Sequence, residues 1–259
     1  MSTILFNEIV FGPIHSRRLG SSLGINLLPY DGKLCSFDCI YCECGFNKDF
    51  RTRTKLPDRE NFNSVLKDKL QTFQKEGTKI DVITFAGNGE PTLHPEFANI
   101  IDDTIALRNQ FAPEAKISVL TNGLNVGKPE IFEALKKVEN PILKLDSAFD
   151  KTAILIDRPN SKDYSIAKQV ELYKRFNGNF ILQTMFLCGE FEGQRVDNTT
   201  EEEVSAWLEL VRELNLREVM IYTIDRETPT KTLEKVPIEE LRKIADRVGE
   251  LGIKTNVAG

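Results

Sequence analysis

The segment "PILKLDSA" (residues 141–148) reads as a short strand, and its alternation decides the architecture. Strand side chains point alternately to opposite faces, so Lys144 and Asp146 share one face and Leu143 and Leu145 the other. A strand buried on both faces of a doubly wound sheet should read as a near-continuous apolar run. This one does not. Polar positions recur in its neighbours: Thr84 with Asn88 in and after "IDVITFAG" (80–87), Ser118 with Asn122 in "KISVLTNG" (116–123), and Gln183 in "NFILQTMFL" (179–187). Polar side chains gathered on one face suit a curved sheet that encloses a cavity. The competing reading has them satisfied inside a filled core or at strand ends.

Two further strands, "LGINLLPY" (23–30) and "EVMIYTID" (218–225), complete a set of six. Helical spacing separates them. Phe62, Val65, Leu66, Leu70 and Phe73 fall on one face, as do Val204, Trp207, Leu208, Val211 and Leu214. Thr200 with Glu203 fits a capping box, and Pro237 suits the first turn of a last helix. Strands alternating with helices imply a parallel sheet with right-handed crossovers. The expected class is α/β, a partial (β/α)6 parallel barrel. No low-complexity linker divides the chain, so residues 1–259 read as one domain, with 1–22 an N-terminal extension packed on the barrel.

With 41% hydrophobic residues the chain can build its core without disulfide staples. No apolar run approaches the roughly 20 residues of a membrane span, and the N-terminus lacks a signal-peptide pattern. The expected location is the cytoplasm. A net charge of −5 argues against broad nucleic-acid binding. Arg17 and Arg18, and the run Lys48, Arg51, Arg53 and Lys55, are local basic exceptions. The latter run reads as a solvated face or as a contact for an anion or RNA near the cysteines.

Four of the five cysteines lie in "CSFDCIYCECG" (35–45), directly after the first strand. Parallel α/β folds place their working groups there. Zinc would want four ligands, with Cys44 as the fourth, but such loops usually pair two C-x2-C knuckles. The crowding suits an iron–sulfur cluster better. Three cysteines would leave one iron of a 4Fe–4S cluster open.

"CSFDCIYC" resembles the C-x3-C-aromatic-C pattern of radical S-adenosylmethionine (SAM) enzymes, and "FAGNGEPTLHP" (85–95) their Gly-Gly-Glu motif. "GPIHSRRLGSSLGINLLP", "KLDSA" and "YTIDRETP" are similar to segments of the wyosine-type tRNA-modification branch. The resemblance implies a barrel of that family type, one 4Fe–4S cluster on Cys35, Cys39 and Cys42, and SAM as cofactor. It places Tyr41 against adenine, with ordinary loop packing as the alternative, and Gly87, Asn88, Gly89 and Glu90 at the methionine end of SAM. Asn122, Asp146 and Gln183 are candidates for the ribose or carboxylate. A one-electron donor such as flavodoxin or ferredoxin is implied as partner.

The chain departs from the wyosine synthases, because no cysteine precedes Cys35 to hold a second cluster. The substrate therefore stays open between RNA, a small molecule and a peptide. Arg17, Arg18, Lys144 and Arg226 are substrate-site candidates. Guanidinium groups grip phosphate or carboxylate bidentately, and a desolvated lysine can act as a nucleophile. The alternative from a different class is a non-catalytic zinc- or Fe–S-binding module with Cys44 as fourth ligand. Cys188 reads as a strand-end or buried thiol, and His94 as a turn or helix-entry residue.

Overall fold

A computed structural model describes residues 4–16, 19–49 and 54–259. Arg17, Arg18, Arg51 and Arg53 lie outside these residues. The chain opens with β1 (Val10–Ser16), β2 (Gly20–Ile25), α1 (Arg59–Glu76), β3 (Val82–Phe85), α2 (Phe97–Phe111) and β4 (Lys116–Thr121). It continues through α3 (Pro129–Lys137), β5 (Asn140–Lys144), α4 (Asp150–Asp157), α5 (Ile166–Lys174) and β6 (Ile181–Met185). Next come β7 (Leu187–Phe191), β8 (Gln194–Asp197), α6 (Glu201–Leu214) and β9 (Glu218–Tyr222). Last are β10 (Leu233–Lys235), α7 (Ile238–Glu250) and β11 (Lys254–Ala258).

The main sheet runs β1-β2-β3-β4-β5-β6-β9-β11 and curls into a partial barrel. From β2 to β11 every pairing is parallel, and only β1 runs antiparallel, on β2. The six expected strands are all present. β1 and β11 add an edge on each side. β7, β8 and β10 form a separate three-stranded sheet.

Alternation does what the "ILKLDSA" pattern requires. Outward residues such as Val119, Leu143, Leu182 and Ile221 pack beneath the helices in the main core. At the start of the inward face, Ile142, Ile181 and Met220 close the barrel floor with Leu19 and Leu120. The inward hydroxyls there pair locally: Ser22 Oγ with Thr84 Oγ1 at 2.8 Å, and Asn140 Nδ2 donating to Ser118 Oγ at 3.0 Å. Thr84 and Ser118 are thus satisfied within the filled part of the barrel, whereas Lys144 and Gln183 line an open cavity above it.

Three local readings are corrected. The first strand ends at Ile25, because Asn26 Oδ1 accepts from Leu28 N at 3.2 Å and turns the chain off the sheet. The Thr200–Glu203 capping box is half formed. Thr200 Oγ1 accepts from Glu203 N, but the Glu203 carboxylate turns to Ser147 Oγ (2.7 Å) and Thr152 Oγ1 (2.6 Å). Pro237 is the N-cap of α7 and not its first helical residue. Among the described residues no helix is long and apolar enough to cross a membrane.

Glu139 ties the lower edges of β4 and β5 to α2. Its carboxylate accepts from Ile117 N at 2.8 Å and from Arg108 Nη1 at 2.9 Å. Partial burial pushes its pKa up, but the Ile117 N–H and the Arg108 guanidinium outweigh that and hold it below the usual carboxylate range. The folded state therefore gains stability above the unfolded pKa and loses it as pH falls through the depressed folded value. Glu139→Gln should cost about 1 kcal/mol at neutral pH, discounted for the group's exposure. That difference should shrink towards zero below about pH 4 in urea unfolding followed across pH.

Candidate active site

The cysteine loop leaves the end of β2 and is held on both sides by backbone. On one side Leu34 N donates to Asn88 O (2.9 Å) and Glu90 N to Leu34 O (3.1 Å). On the other it runs along the end of α4: Asp38 N donates to Asp157 O (3.0 Å), Ile40 N to Ile156 O (2.9 Å), and Asn160 N to Ser36 O (2.9 Å). The loop therefore behaves as a short strand laid across the barrel mouth. Arg158 closes the outer side, stacking its guanidinium over Phe46 and Phe191.

Cys35, Cys39, Cys42 and Cys44 are free thiols on the wall of one cavity of about 620 Å³. Its walls also include Gly87, Gly89, Glu90, Asn122, Gln183 and the Tyr41 ring. Cys35 Sγ accepts from Phe37 N at 3.4 Å and from Asn122 Nδ2 at 3.7 Å. Burial pushes the Cys35 thiol up to about 12, with Glu90 adding to the rise, and lifts Cys39 well above its ordinary value. Cys42 moves the other way, to about 6, chiefly through a hydrogen bond from Cys44 and also through Lys33. Cys44 Sγ also lies 3.7 Å from Gly87 O. Among the described residues no three His, Cys, Asp or Glu side chains converge tightly enough for a single metal ion. A multi-iron cluster makes a different demand, because each cysteine binds a different iron.

The turn Gly87–Glu90 brings backbone against the cysteine loop. Gly89 has φ +138°, and a Cβ there would lie 2.0 Å from Leu34 O. At Gly87 a Cβ would lie 2.4 Å from Asn26 Oδ1. Asn88 has another task from the one expected of it. Its amide accepts from Phe6 N and donates to Phe6 O and Pro29 O, each at 2.8 Å, so it pins the N-terminal segment and leaves the cavity wall. Glu90 is buried, which raises its pKa, and its carboxylate accepts from Thr92 N, Thr92 Oγ1, Thr121 Oγ1 and Asn122 N.

Beside the thiols lies a buried charged cluster. Lys144 Nζ contacts Asp146 Oδ2 and Tyr41 OH and sits 3.0 Å from Asp157 Oδ1. Tyr41 OH donates to Asp146 Oδ2 at 2.6 Å, and Met185 N donates to Asp146 Oδ1 at 2.9 Å. Asp146 therefore sits behind the wall, fixing Tyr41 and Lys144, and not on the cavity surface. Burial opposes the charge on Lys144, but Asp146 and Asp157 outweigh it and hold the ammonium firmly protonated. Desolvation alone would favour the neutral amine; the neighbouring carboxylates oppose it. Arg226 stands at the rim, half-exposed and paired with Glu43 at 2.8 Å.

Residues 31–198 match the Radical SAM superfamily. The chain belongs to this superfamily. It is 32% identical over 242 residues to a UPF0026 protein of Methanocaldococcus jannaschii, covering 91% of this chain and 70% of that one. It is 30% identical over 237 residues to a protein named GTPase Obg of Brachyspira hyodysenteriae, covering 90% of this chain but only 32% of that one. Among solved structures, Streptococcus suis SuiB bound to S-adenosylmethionine superposes with a TM-score of 0.64 at 16% identity, over 92% of this chain and 51% of that one. TYW1 with a lysine-pyruvate adduct superposes at 0.58 and 16% identity, over 88% and 73%. At these identities the superpositions speak for the barrel fold. This radical SAM protein is an enzyme.

Four participants had escaped the sequence reading. Lys33 stands two residues before Cys35 with no periodic pattern to mark it. Asp157 offered a hint, since a carboxylate at the last position of α4 opposes the helix dipole. Ile4 and Phe6 line the cavity from the N-terminal segment. Cys188 lies on β7 with Sγ 3.9 Å from Glu234 Oε2, off the cavity wall. His94 accepts from Glu96 N at the entry to α2.

Gly89→Ala should strain the contact between turn and cysteine loop, costing about 2–4 kcal/mol. Gly249→Ala, on α7 with nothing within 4 Å of the added Cβ, should stabilise by about 0.5–1 kcal/mol. Paired urea denaturation curves compare the two, and equal effects would refute a tight Gly89 contact.

Proposed function

We propose that Cys35, Cys39 and Cys42 hold one 4Fe–4S cluster and that the protein uses it to cleave SAM and abstract hydrogen from a substrate in the same cavity. The observation carrying this reading is the meeting of the Cys35, Cys39 and Cys42 thiols with Gly87, Gly89 and Glu90 on one cavity wall at the C-terminal ends of the strands. The donor set fits: soft thiolates, with Asn122 and the Phe37 N–H directed at Cys35 sulfur. When bound, the cluster supplies one electron to the SAM sulfonium, whose cleavage yields methionine and a 5′-deoxyadenosyl radical.

The chain's own residues position and shield. Gly87 and Gly89 present bare backbone to the methionine end of SAM. Glu90, braced by Thr92, Thr121 and Asn122, keeps acceptor capacity on Oε2 for an ammonium group. Tyr41, fixed by Asp146, offers its ring as a wall for adenine. Gln183 and Asn122 face the same space. Ile4, Phe6 and Met185 line it with apolar surface and help to exclude water.

Residues 1–259 act in this reading as one core whose N-terminal segment supplies part of the cavity wall. A flavodoxin or ferredoxin is the proposed electron donor. RNA, a small molecule and a peptide remain the substrate classes, with Arg226 at the rim as the anion contact.

Anaerobic reconstitution with iron and sulfide, followed by SAM and dithionite, tests the reaction. The expected products are 5′-deoxyadenosine and methionine, abolished in Cys39→Ala and retained in Cys44→Ala. Loss of metal in Cys44→Ala, with tight zinc binding by the unaltered protein, would instead establish a four-cysteine structural site.

A further inference from the structure

Phe6 enters the cavity wall as the last ring of a stack. Phe11 pairs with Gly24 across β1 and β2, and Gly24 shares the inward face of the sheet with Ser22. A Cβ on Gly24 would run into the Phe11 ring, so that ring lies on bare strand backbone. Phe6 stacks on Phe11 in turn, with ring centroids 3.9 Å apart and planes inclined by 16°. Phe6 lines the cavity and Phe11 does not. One face of the Phe6 ring is thus taken, and among the described residues no second ring stacks on the other.

The ring is fixed from behind. Phe6 N donates to Asn88 Oδ1 and Asn88 Nδ2 to Phe6 O, each at 2.8 Å, and Asn26 Nδ2 donates to the same carbonyl at 3.3 Å. Further back, Ile4 N donates to Glu43 O at 3.0 Å, and the Glu43 carboxylate accepts from Arg226 Nη1 at 2.8 Å. Ring and guanidinium therefore belong to one wall, joined through Glu43. That single carboxylate leaves guanidinium donors over for an anion. Tyr41, the wall proposed for adenine, is anchored elsewhere, on Asp146. A ring held this way loses little freedom when a ligand binds. Its π face gains most from a flat partner, whereas a saturated ring of equal size gains only apolar contact.

We propose that Phe6 is a specificity-determining residue for the substrate, which carries a planar aromatic or heteroaromatic ring stacked on the open face of Phe6 and joined to a phosphate or carboxylate held by Arg226. The inference rests on the SAM-dependent reading of this cavity and names its substrate class.

Calorimetry on the anaerobically reconstituted protein, saturated with SAM and without reductant, tests it. The probes are 2-naphthoate against decahydro-2-naphthoate, and adenosine 5′-monophosphate against ribose 5-phosphate. Stacking should make each planar probe bind about tenfold tighter than its counterpart. The tighter of the two planar probes tells a nucleotide from a simple aromatic acid. Phe6→Leu, which keeps apolar bulk without the flat face, should abolish the preference, and the wider ring of Phe6→Trp should strengthen it. Arg226→Gln should weaken all four probes, and unchanged affinities there overturn the anionic half. Equal binding of planar and counterpart probes by the unaltered protein overturns the inference, as does a preference that survives in Phe6→Leu. If Phe6→Leu fails to fold or to load its cluster, an unchanged preference in Phe6→Trp overturns it equally. An unaltered protein that assembles no 4Fe–4S cluster removes the SAM-dependent reading itself, whereas one that cleaves SAM yet binds the paired probes alike removes only the role of Phe6.

Discussion

Backbone hydrogen bonds on both flanks of the cysteine loop are the constraint on which the site depends. Leu34 exchanges bonds with Asn88 and Glu90, while Asp38 and Ile40 bond the carbonyls at the end of α4. Each flanking segment belongs to a different strand–helix unit of the barrel. The loop can hold this course only when the segments that follow β3 and β5 are both in place beside it. Gly89 permits the approach on one side, and Arg158, stacked on Phe46 and Phe191, clamps the other.

Electrostatics follow from the same geometry. Laying a thiol-rich loop over a barrel mouth buries groups that must carry negative charge when they bind metal. The structure answers with two buried lysines. Lys33 lies under the loop, on Gly45 O and Asp38 Oδ1. Lys144 lies beside it, between Asp146 and Asp157, the second of which reaches Cys39 Sγ at 3.5 Å. Lys144 is thus bound up with carboxylates, whereas Lys33 has a carbonyl and one shared carboxylate to face.

Much of the fold was legible because it rests on short-range pattern. The inward Lys144 and outward Leu143 told barrel from flat sheet, and the cysteine spacing marked the mouth. The missed elements break pattern. In β1 the pairing on β2 shifts register between Phe11 and Ile14, where Gly12 takes φ +95°. The β7–β8 hairpin turns at Glu192 and Gly193, both at positive φ, and glutamate is a poor signal for such a turn. At the site, residue type predicted proximity better than task. Asn88 and Asp146 lie where expected along the chain, yet Asn88 secures Phe6 and Asp146 secures Tyr41. Side-chain direction depends on which backbone arrives from elsewhere, and one sequence segment does not contain that information.

The central claim is that three cysteines leave one iron open towards the cavity, where the amino and carboxylate groups of SAM bind. EPR of the reduced, reconstituted protein tests it most directly, recorded with and without SAM carrying a magnetic isotope at its amino nitrogen. The account predicts a changed signal on adding SAM, with hyperfine coupling from the labelled nitrogen. A cluster signal that SAM leaves unchanged, at concentrations that saturate binding by calorimetry, would contradict it.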